Sequence, residues 1–195
     1  MSDAHVSPGA SPAPGEDSIR VENETAPSLQ VQMEDRLDGL GVPWRLVPHP
    51  RIETVRQGLD KGLPALLGLK DSDLSKCLLL EDAGGKLVLL VVRAAVHPDL
   101  KEVRRLVGCR RLHLASPERL EETLGSEPGR VSLFDLIGHR DAVSCLVLDR
   151  ALATGPGDTA MPADSHRASI CLPKSALEGV ARRLCPQVYF LEWVC

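Results

Sequence analysis

Three places in the chain put a chemically capable group in a setting that could use it. Lys76 immediately precedes the apolar run Cys77-Leu78-Leu79-Leu80. An ammonium at the start of an apolar strand is costly to bury unless an anionic partner, such as a phosphate or a polarised ester, sits beside it. The alternative is a stem that lies along the strand and delivers its charge to solvent. In the second place, Gly125-Ser126-Glu127-Pro128-Gly129-Arg130-Val131-Ser132, two glycines tolerate positive φ. Several backbone N–H groups of such a loop can converge on one point and hold an oxyanion as it develops. The competing reading is an ordinary helix-to-strand connection. The third place is His49, held between Pro48 and Pro50, which is either a turn histidine or part of a pocket wall.

Other reactive side chains point away from chemistry. Cys77 has apolar neighbours, which raise a thiol pKa and leave it packed and inert. His139-Arg140-Asp141 matches the tripeptide of kinase catalytic loops, but no Gly-rich phosphate loop or Asp-Phe-Gly accompanies it, so the match is chance. The six cysteines never come closer than ten residues to one another, which leaves no zinc knuckle and no redox pair. No metal and no cofactor is expected.

The elements that would position these groups can be read from periodicity and caps. Met33, Leu37 and Leu40 recur at helical spacing before Gly41, and Trp44 to Val47 reads as a strand ending at the two prolines. Thr54 is placed to cap a short helix from Val55. Cys77 to Leu80 and Lys86 to Val92 flank Asp82-Ala83-Gly84-Gly85, the pattern of a hairpin buried on both faces. Pro98 and Asp99 open an amphipathic helix with Leu100, Val103, Leu106 and Val107 on one side and Lys101, Arg104 and Arg105 on the other. A strand at Arg111 to Ala115 and a helix from Ser116 through Leu124 follow. Ala142 to Leu148 is a strand, residues 154 to 167 a Gly-, Pro- and Asp-rich connection, Arg167 to Leu172 a short strand, Pro173 to Leu184 a helix, and Val188 to Val194 a terminal strand. Irregular interspersion of helices and strands predicts an α+β domain.

Composition limits the function classes. With 195 residues, 43% hydrophobic, the chain can build one aliphatic core, but two Phe, two Trp and one Tyr are too few for stacking several bases. Residues 1 to 31 are acidic and rich in Pro and Ser, and are expected to be disordered. The first 35 residues hold seven acids against Arg20, so the remainder of a chain of net charge −4 carries +2. That balance fits a limited nucleic-acid contact and not a grip on a long duplex. Arg104, Arg105, Arg110 and Arg111, extended by Lys101, form the local basic cluster where phosphate contacts would be sought, unless it is simply a solvated helix face. The N-terminus lacks a basic start and an apolar run, and no stretch is long enough to span a bilayer, so a cytoplasmic location with free thiols is expected and neither a membrane nor DNA is expected as a partner.

Pro48-His49-Pro50 with Thr54 downstream, Ser75-Lys76-Cys77-Leu78-Leu79-Leu80-Glu81-Asp82, Arg111-Leu112-His113-Leu114-Ala115-Ser116-Pro117-Glu118 and Gly125 to Ser132 occur in an order that resembles the YbaK-type aminoacyl-tRNA editing family associated with prolyl-tRNA synthetase. The resemblance covers roughly residues 35 to 195 and is strongest to the free-standing branch that clears alanine from proline tRNA. It implies an α+β fold over residues 32 to 195, a mixed, mostly antiparallel central sheet flanked by helices, with a pocket for the aminoacyl group and the terminal adenosine. It further implies that Lys76, Gly129, Val131 and Ser132 are catalytic positions, and that His49, Thr54, Cys77, Gly125, Arg130 and His166 contact substrate, with no metal. Three departures stand out: Cys77 replaces the family's usual Asn, Leu133 replaces the proline that closes the Gly-x-Val-Ser/Thr-Pro loop, and Met161-Pro162-Ala163 stands where the alanine-specific branch has Phe-His-Pro.

The implied function is a trans-acting deacylase of mischarged tRNA(Pro), with Ala-tRNA(Pro) as substrate, the tRNA acceptor end as partner and prolyl-tRNA synthetase as a second candidate partner. Lys76 is cast as an anchor for the nucleotide end, since a protonated amine is poorly suited to act as a base near neutral pH. Two alternatives remain open. One is a deacylase for Cys-tRNA(Pro) or another small aminoacyl group, and the other is a non-catalytic module that binds the acceptor end or the synthetase.

Overall fold

The computed structural model describes residues 29–163 and 165–193. The acidic segment expected to lack structure falls, up to residue 28, outside the described residues, as do Val194 and Cys195. Fourteen helices and strands are named here. They are α1 (Leu29–Leu37), β1 (Arg45–Pro48), α2 (Val55–Asp60), α3 (Leu63–Leu67), β2 (Ser75–Asp82), β3 (Leu87–Arg93), α4 (Leu100–Val107), β4 (Leu112–Leu114), α5 (Pro117–Leu124), β5 (Cys145–Asp149), β6 (Asp158–Ala163), β7 (Ser165–Pro173), α6 (Lys174–Leu184) and β8 (Val188–Leu191).

Local chemistry accounts for most of these boundaries. The Thr54 hydroxyl accepts from the Gln57 N–H at 3.2 Å and starts α2. Asp99 accepts from the Lys101 N–H at 2.8 Å and starts α4, which Gly108 ends in the left-handed conformation. Ser116 caps α5 through the Arg119 N–H at 3.1 Å. Each such cap satisfies a backbone donor that the first helical turn leaves without a partner.

The strands form two sheets. One runs β4-β2-β3-β5-β8, antiparallel across β4, β2 and β3 and parallel from β3 to β5 to β8; the other is the antiparallel trio β1-β7-β6. A single parallel bridge, Leu74 to Ala160, joins them. Antiparallel pairings therefore predominate in a mixed α+β domain, but the strands divide where one central sheet is expected. One strand of the smaller sheet, β6, falls inside the segment 154 to 167 expected to be an irregular connection. Asp158, Thr159 and Pro162 disguise it as a loop. A proline has no N–H for the ladder, yet β6 is an edge strand of its sheet, where that loss is tolerated.

Three apolar layers result. Cys77, Leu79, Leu89 and Val91 on one face of β2 and β3 meet Met161, Ile170 and Leu172 of the smaller sheet, and α1, α5 and α6 close this main core. On the opposite face of the larger sheet, Leu80, Val88, Leu90 and Val92 pack against Val103 and Val107 of α4 and against Trp193. The third layer, Leu63, Leu67, Leu74, Ala94, Ala160 and Cys171, places α3 beside the smaller sheet. Strand β3 is thus buried on both sides, as its unbroken apolar run requires. A buried ion pair ties the end of β3 to that of β5: Asp149, fully buried, accepts from Arg93 Nε at 2.7 Å.

Candidate active site

The cleft that matters for function opens where α2, the start of β2, strand β7 and the Gly125–Ser132 loop meet. It encloses about 440 Å³ of empty space, mouth included, and His49, Thr54, Ser75, Gly129, His166 and Ser169 contribute its polar wall.

Each of these groups is held by a separate structural cause. His49 follows β1, and its N–H donates to the Arg167 carbonyl at 2.8 Å, continuing the β1–β7 ladder past Pro48. Its Nδ1 lies 2.9 Å from the Pro50 carbonyl, an atom that only accepts, so Nδ1 carries the proton. In the neutral ring Nε2 is then the acceptor, and the Ser169 hydroxyl donates to it at 3.0 Å. Ser169 is 3% exposed and sits mid-strand in β7. His166 is fixed the same way, with Nδ1 on the Ile52 carbonyl at 3.0 Å; its Nε2 faces the carboxylates of Glu127 at 3.3 Å and Glu53 at 3.7 Å. His166 therefore stitches the segment before α2 to the glycine loop. The Arg51 guanidinium, hydrogen-bonded to Glu53, holds the Glu53 carboxyl below the usual carboxylate range.

Gly129 shows why that loop needs a glycine. Its φ is +89°, and a Cβ built there would meet the Glu53 carbonyl oxygen well inside 3.0 Å and His166 Cε1 at 3.4 Å. The loop backbone thus rests directly on residue 53. Among the described residues neither the Gly129 N–H nor the Val131 N–H has a protein acceptor. The neighbouring donors are used: Arg130 N–H goes to the Glu127 carbonyl at 3.0 Å, and Ser132 N–H to Asp135 Oδ2 at 2.9 Å.

Of the residues singled out from sequence, His49, Thr54, Gly129 and His166 share the cleft. The other six do not line it. Gly125 ends α5, with φ +61° and its N–H on the Glu121 carbonyl. Val131 is buried in the core, and Ser132 closes a capping box with Asp135 over the turn Leu133–Leu136. Leu133, the residue in place of the family's proline, is fully buried beneath it. Arg130 donates to the Gly125 carbonyl at 3.3 Å and bridges to Glu127. Cys77 is buried, and burial first, then the Asp135 charge, pushes its thiol far above the usual range. Lys76 alternates with Ser75 along β2, so the serine faces the cleft while the half-buried lysine sends Nζ to the Ala94 carbonyl at 2.9 Å. Burial lowers the Lys76 pKa, and no carboxylate among the described residues offsets it.

Ser75 and Ser169 are cleft residues that sequence reading passed over. Ser75 donates to the Ala160 carbonyl at 2.7 Å and pins the two sheets together. For Ser169 a signal existed, a hydroxyl inside the otherwise apolar run Ala168 to Leu172. Among the described residues no three His, Cys, Asp or Glu side chains converge to hold a metal ion, and no helix is long and apolar enough to cross a membrane.

Comparison with known proteins agrees with this architecture. The prolyl-tRNA editing protein ProX of Acetoanaerobium sticklandii is 28% identical over 149 residues, 75% of this chain and 87% of that one. A solved structure of a proposed trans-editing enzyme for prolyl tRNA synthetase superposes with a TM-score of 0.67 at 22% identity, covering 87% of this chain and all of the other. A hypothetical protein superposes with a TM-score of 0.65 at 21% identity over 82% of this chain and 97% of its own. These two likenesses establish the fold. The model of the aminoacyl-tRNA editing domain matches residues 61–179, from just after α2 to the middle of α6, and so takes in β2, the glycine loop and β7. With well over half its length matched in this way, the chain belongs to the aminoacyl-tRNA editing domain family.

Proposed function

We propose that this protein is a free-standing deacylase of mischarged tRNA(Pro) and that the aminoacyl group it removes is alanine. The observation that carries the reading is the convergence of Gly129, with a free N–H, His49, Thr54 and His166 on one small cleft whose residues fall in or beside the family match. The relative named as a prolyl-tRNA editing protein supports the choice of tRNA.

Such an enzyme meets a physical need. A synthetase pocket shaped for proline cannot exclude a smaller amino acid by size, because missing methylenes discriminate by only about 1–3 kcal/mol. A second, smaller cleft can hydrolyse what fits and exclude what does not. In this cleft water attacks the ester carbonyl, the substrate's own ribose hydroxyl assists, and the bond to the ribose oxygen breaks with that oxygen taking the proton. The Gly129 N–H faces the carbonyl oxygen as charge develops on it, an arrangement that stabilises the transition state more than the ground state. Lys76 does not line the cleft, so its assigned partner lies outside it: the ammonium leaves the Ala94 carbonyl to meet a phosphate further along the 3′ end of the tRNA. A half-buried ammonium without a counter-charge favours exactly that kind of anionic ligand.

Incubation of the purified protein with Ala-tRNA(Pro), Cys-tRNA(Pro) and Pro-tRNA(Pro), following loss of the labelled amino acid, tests the reading. Hydrolysis of the alanyl ester with the prolyl ester spared is expected. Preference for the cysteinyl ester would reassign the substrate, and retention of all three with intact tRNA binding would make the protein a binding module.

A further inference from the structure

A second concavity lies at the far end of β2. It is formed by the turn after β2, by α4 and by β4, encloses about 920 Å³ with its mouth, and carries Lys101, Arg104, Arg111 and His113 with no acidic residue in its lining. Arg105 and Arg110 flank it. Among the described residues none of Lys101, Arg104, Arg105, Arg110 and Arg111 is paired with a carboxylate, whereas Arg45, Arg56, Arg93, Arg119 and Arg182 all are. The α4 caps explain how the cluster is displayed. Asp99 starts the helix, Val103 and Val107 bury its apolar side, and the cations three residues apart are left on the outer face.

We infer that this groove is a docking surface for the phosphate backbone of an RNA duplex. Resting on the reading proposed above, the duplex is the acceptor stem of the tRNA whose 3′ end enters the cleft. Unneutralised arginines and a lysine in one groove suit successive phosphates, which position a nucleic acid without reading its sequence. The scarcity of aromatic residues argues against single-stranded RNA held by stacking. Spacing fits as well. Ser75 lines the cleft and Ala83 the groove, eight residues apart on one strand and its turn, or about 26 Å at the rise of a β-strand. A stem in the groove thus leaves its single-stranded end to span the distance to the cleft.

The test compares wild type with the double variant Lys101→Gln/Arg111→Gln, both positions exposed, in binding a fluorescein-labelled, uncharged acceptor-stem minihelix between 50 and 200 mM KCl. Two lost phosphate contacts flatten the salt slope by about 2, so wild-type affinity is expected to fall about tenfold more than that of the variant over this range. Equal slopes and affinities would overturn the inference, and so would tighter binding of wild type to phosphatidylserine vesicles than to the minihelix. Hydrolysis of 3′-alanyl adenosine, which cannot span the groove, separates this inference from the proposed function. Wild type that hydrolyses it but shows the variant's salt slope retains the function and loses the groove. Wild type that hydrolyses nothing but binds through the cations retains the groove and loses the function.

Discussion

Replacing Gly129 by alanine should damage the cleft more than its single added methyl group suggests. At φ +89° an L side chain is strained by about 1–2 kcal/mol. In addition the new Cβ must move on the order of 1 Å from the Glu53 carbonyl to reach ordinary contact, and the neighbour that must yield is backbone, with His166 closing the other side. Strain of this kind totals about 2–3 kcal/mol, which lowers Tm by about 4–12 °C in a domain of this size. The displaced N–H is the donor assigned to the oxyanion, and a misplacement of about 1 Å costs about a hundredfold in rate. The assay pairs thermal denaturation with single-turnover deacylation of Ala-tRNA(Pro). Gly125→Ala is the control, because its φ is +61° but nothing lies within 4 Å of its Cβ. It should lose about 1 kcal/mol and little activity. If Gly129→Ala keeps both wild-type Tm and wild-type rate, or if the two variants behave alike, the loop does not serve the cleft in the way described.

Other expectations follow from single contacts. Lys76→Ala should reduce kcat/KM by about 10- to 100-fold, the worth of one charge-assisted contact, with Tm shifted by under 2 °C. Because burial lowers the Lys76 pKa, its cation is lost at lower pH than that of a free lysine as pH rises. Lys76→Arg should hold the anchoring contribution to higher pH, and a pH profile identical to wild type would count against the anchor. Asp149→Ala removes the buried carboxylate that faces the largely covered Arg93 guanidinium and should cost about 3–5 kcal/mol, or about 6–20 °C in Tm; a drop below 3 °C would show the pair to be dispensable. Burial raises the Cys145 and Cys171 thiols to about 11 and Cys77 further still. Iodoacetamide at pH 8 should therefore modify the partly exposed Cys109 before these three, as peptide mapping would reveal.

Much of the fold was legible because caps and periodicity agree with the tertiary structure. Thr54, Asp99 and Ser116 each start the helix that their side chains predict, and the two apolar runs around Gly84 and Gly85 form the β2–β3 hairpin. Strand β6 was not legible, because its proline and acid read as a loop unless the edge position is known. The same limit applies to the site. Resemblance picked out a lysine and a glycine loop, but whether Lys76 or Ser75 faces the cleft depends on strand register, which a motif does not carry. Proximity of His49 to Ser169 needs 120 residues of intervening chain to fold, and no local pattern announces it. Gly129 was legible in type, while its reason, the Glu53 carbonyl against its Cα, is purely tertiary.

The central claim, that this cleft removes alanine from tRNA(Pro), is tested most directly by the single-turnover rate constant for Ala-tRNA(Pro) under excess protein, set against that for Pro-tRNA(Pro) and against spontaneous hydrolysis. The account predicts release of alanine well above the spontaneous rate, with the prolyl ester left at it. An alanyl ester that decays no faster with the protein than without it would contradict the account.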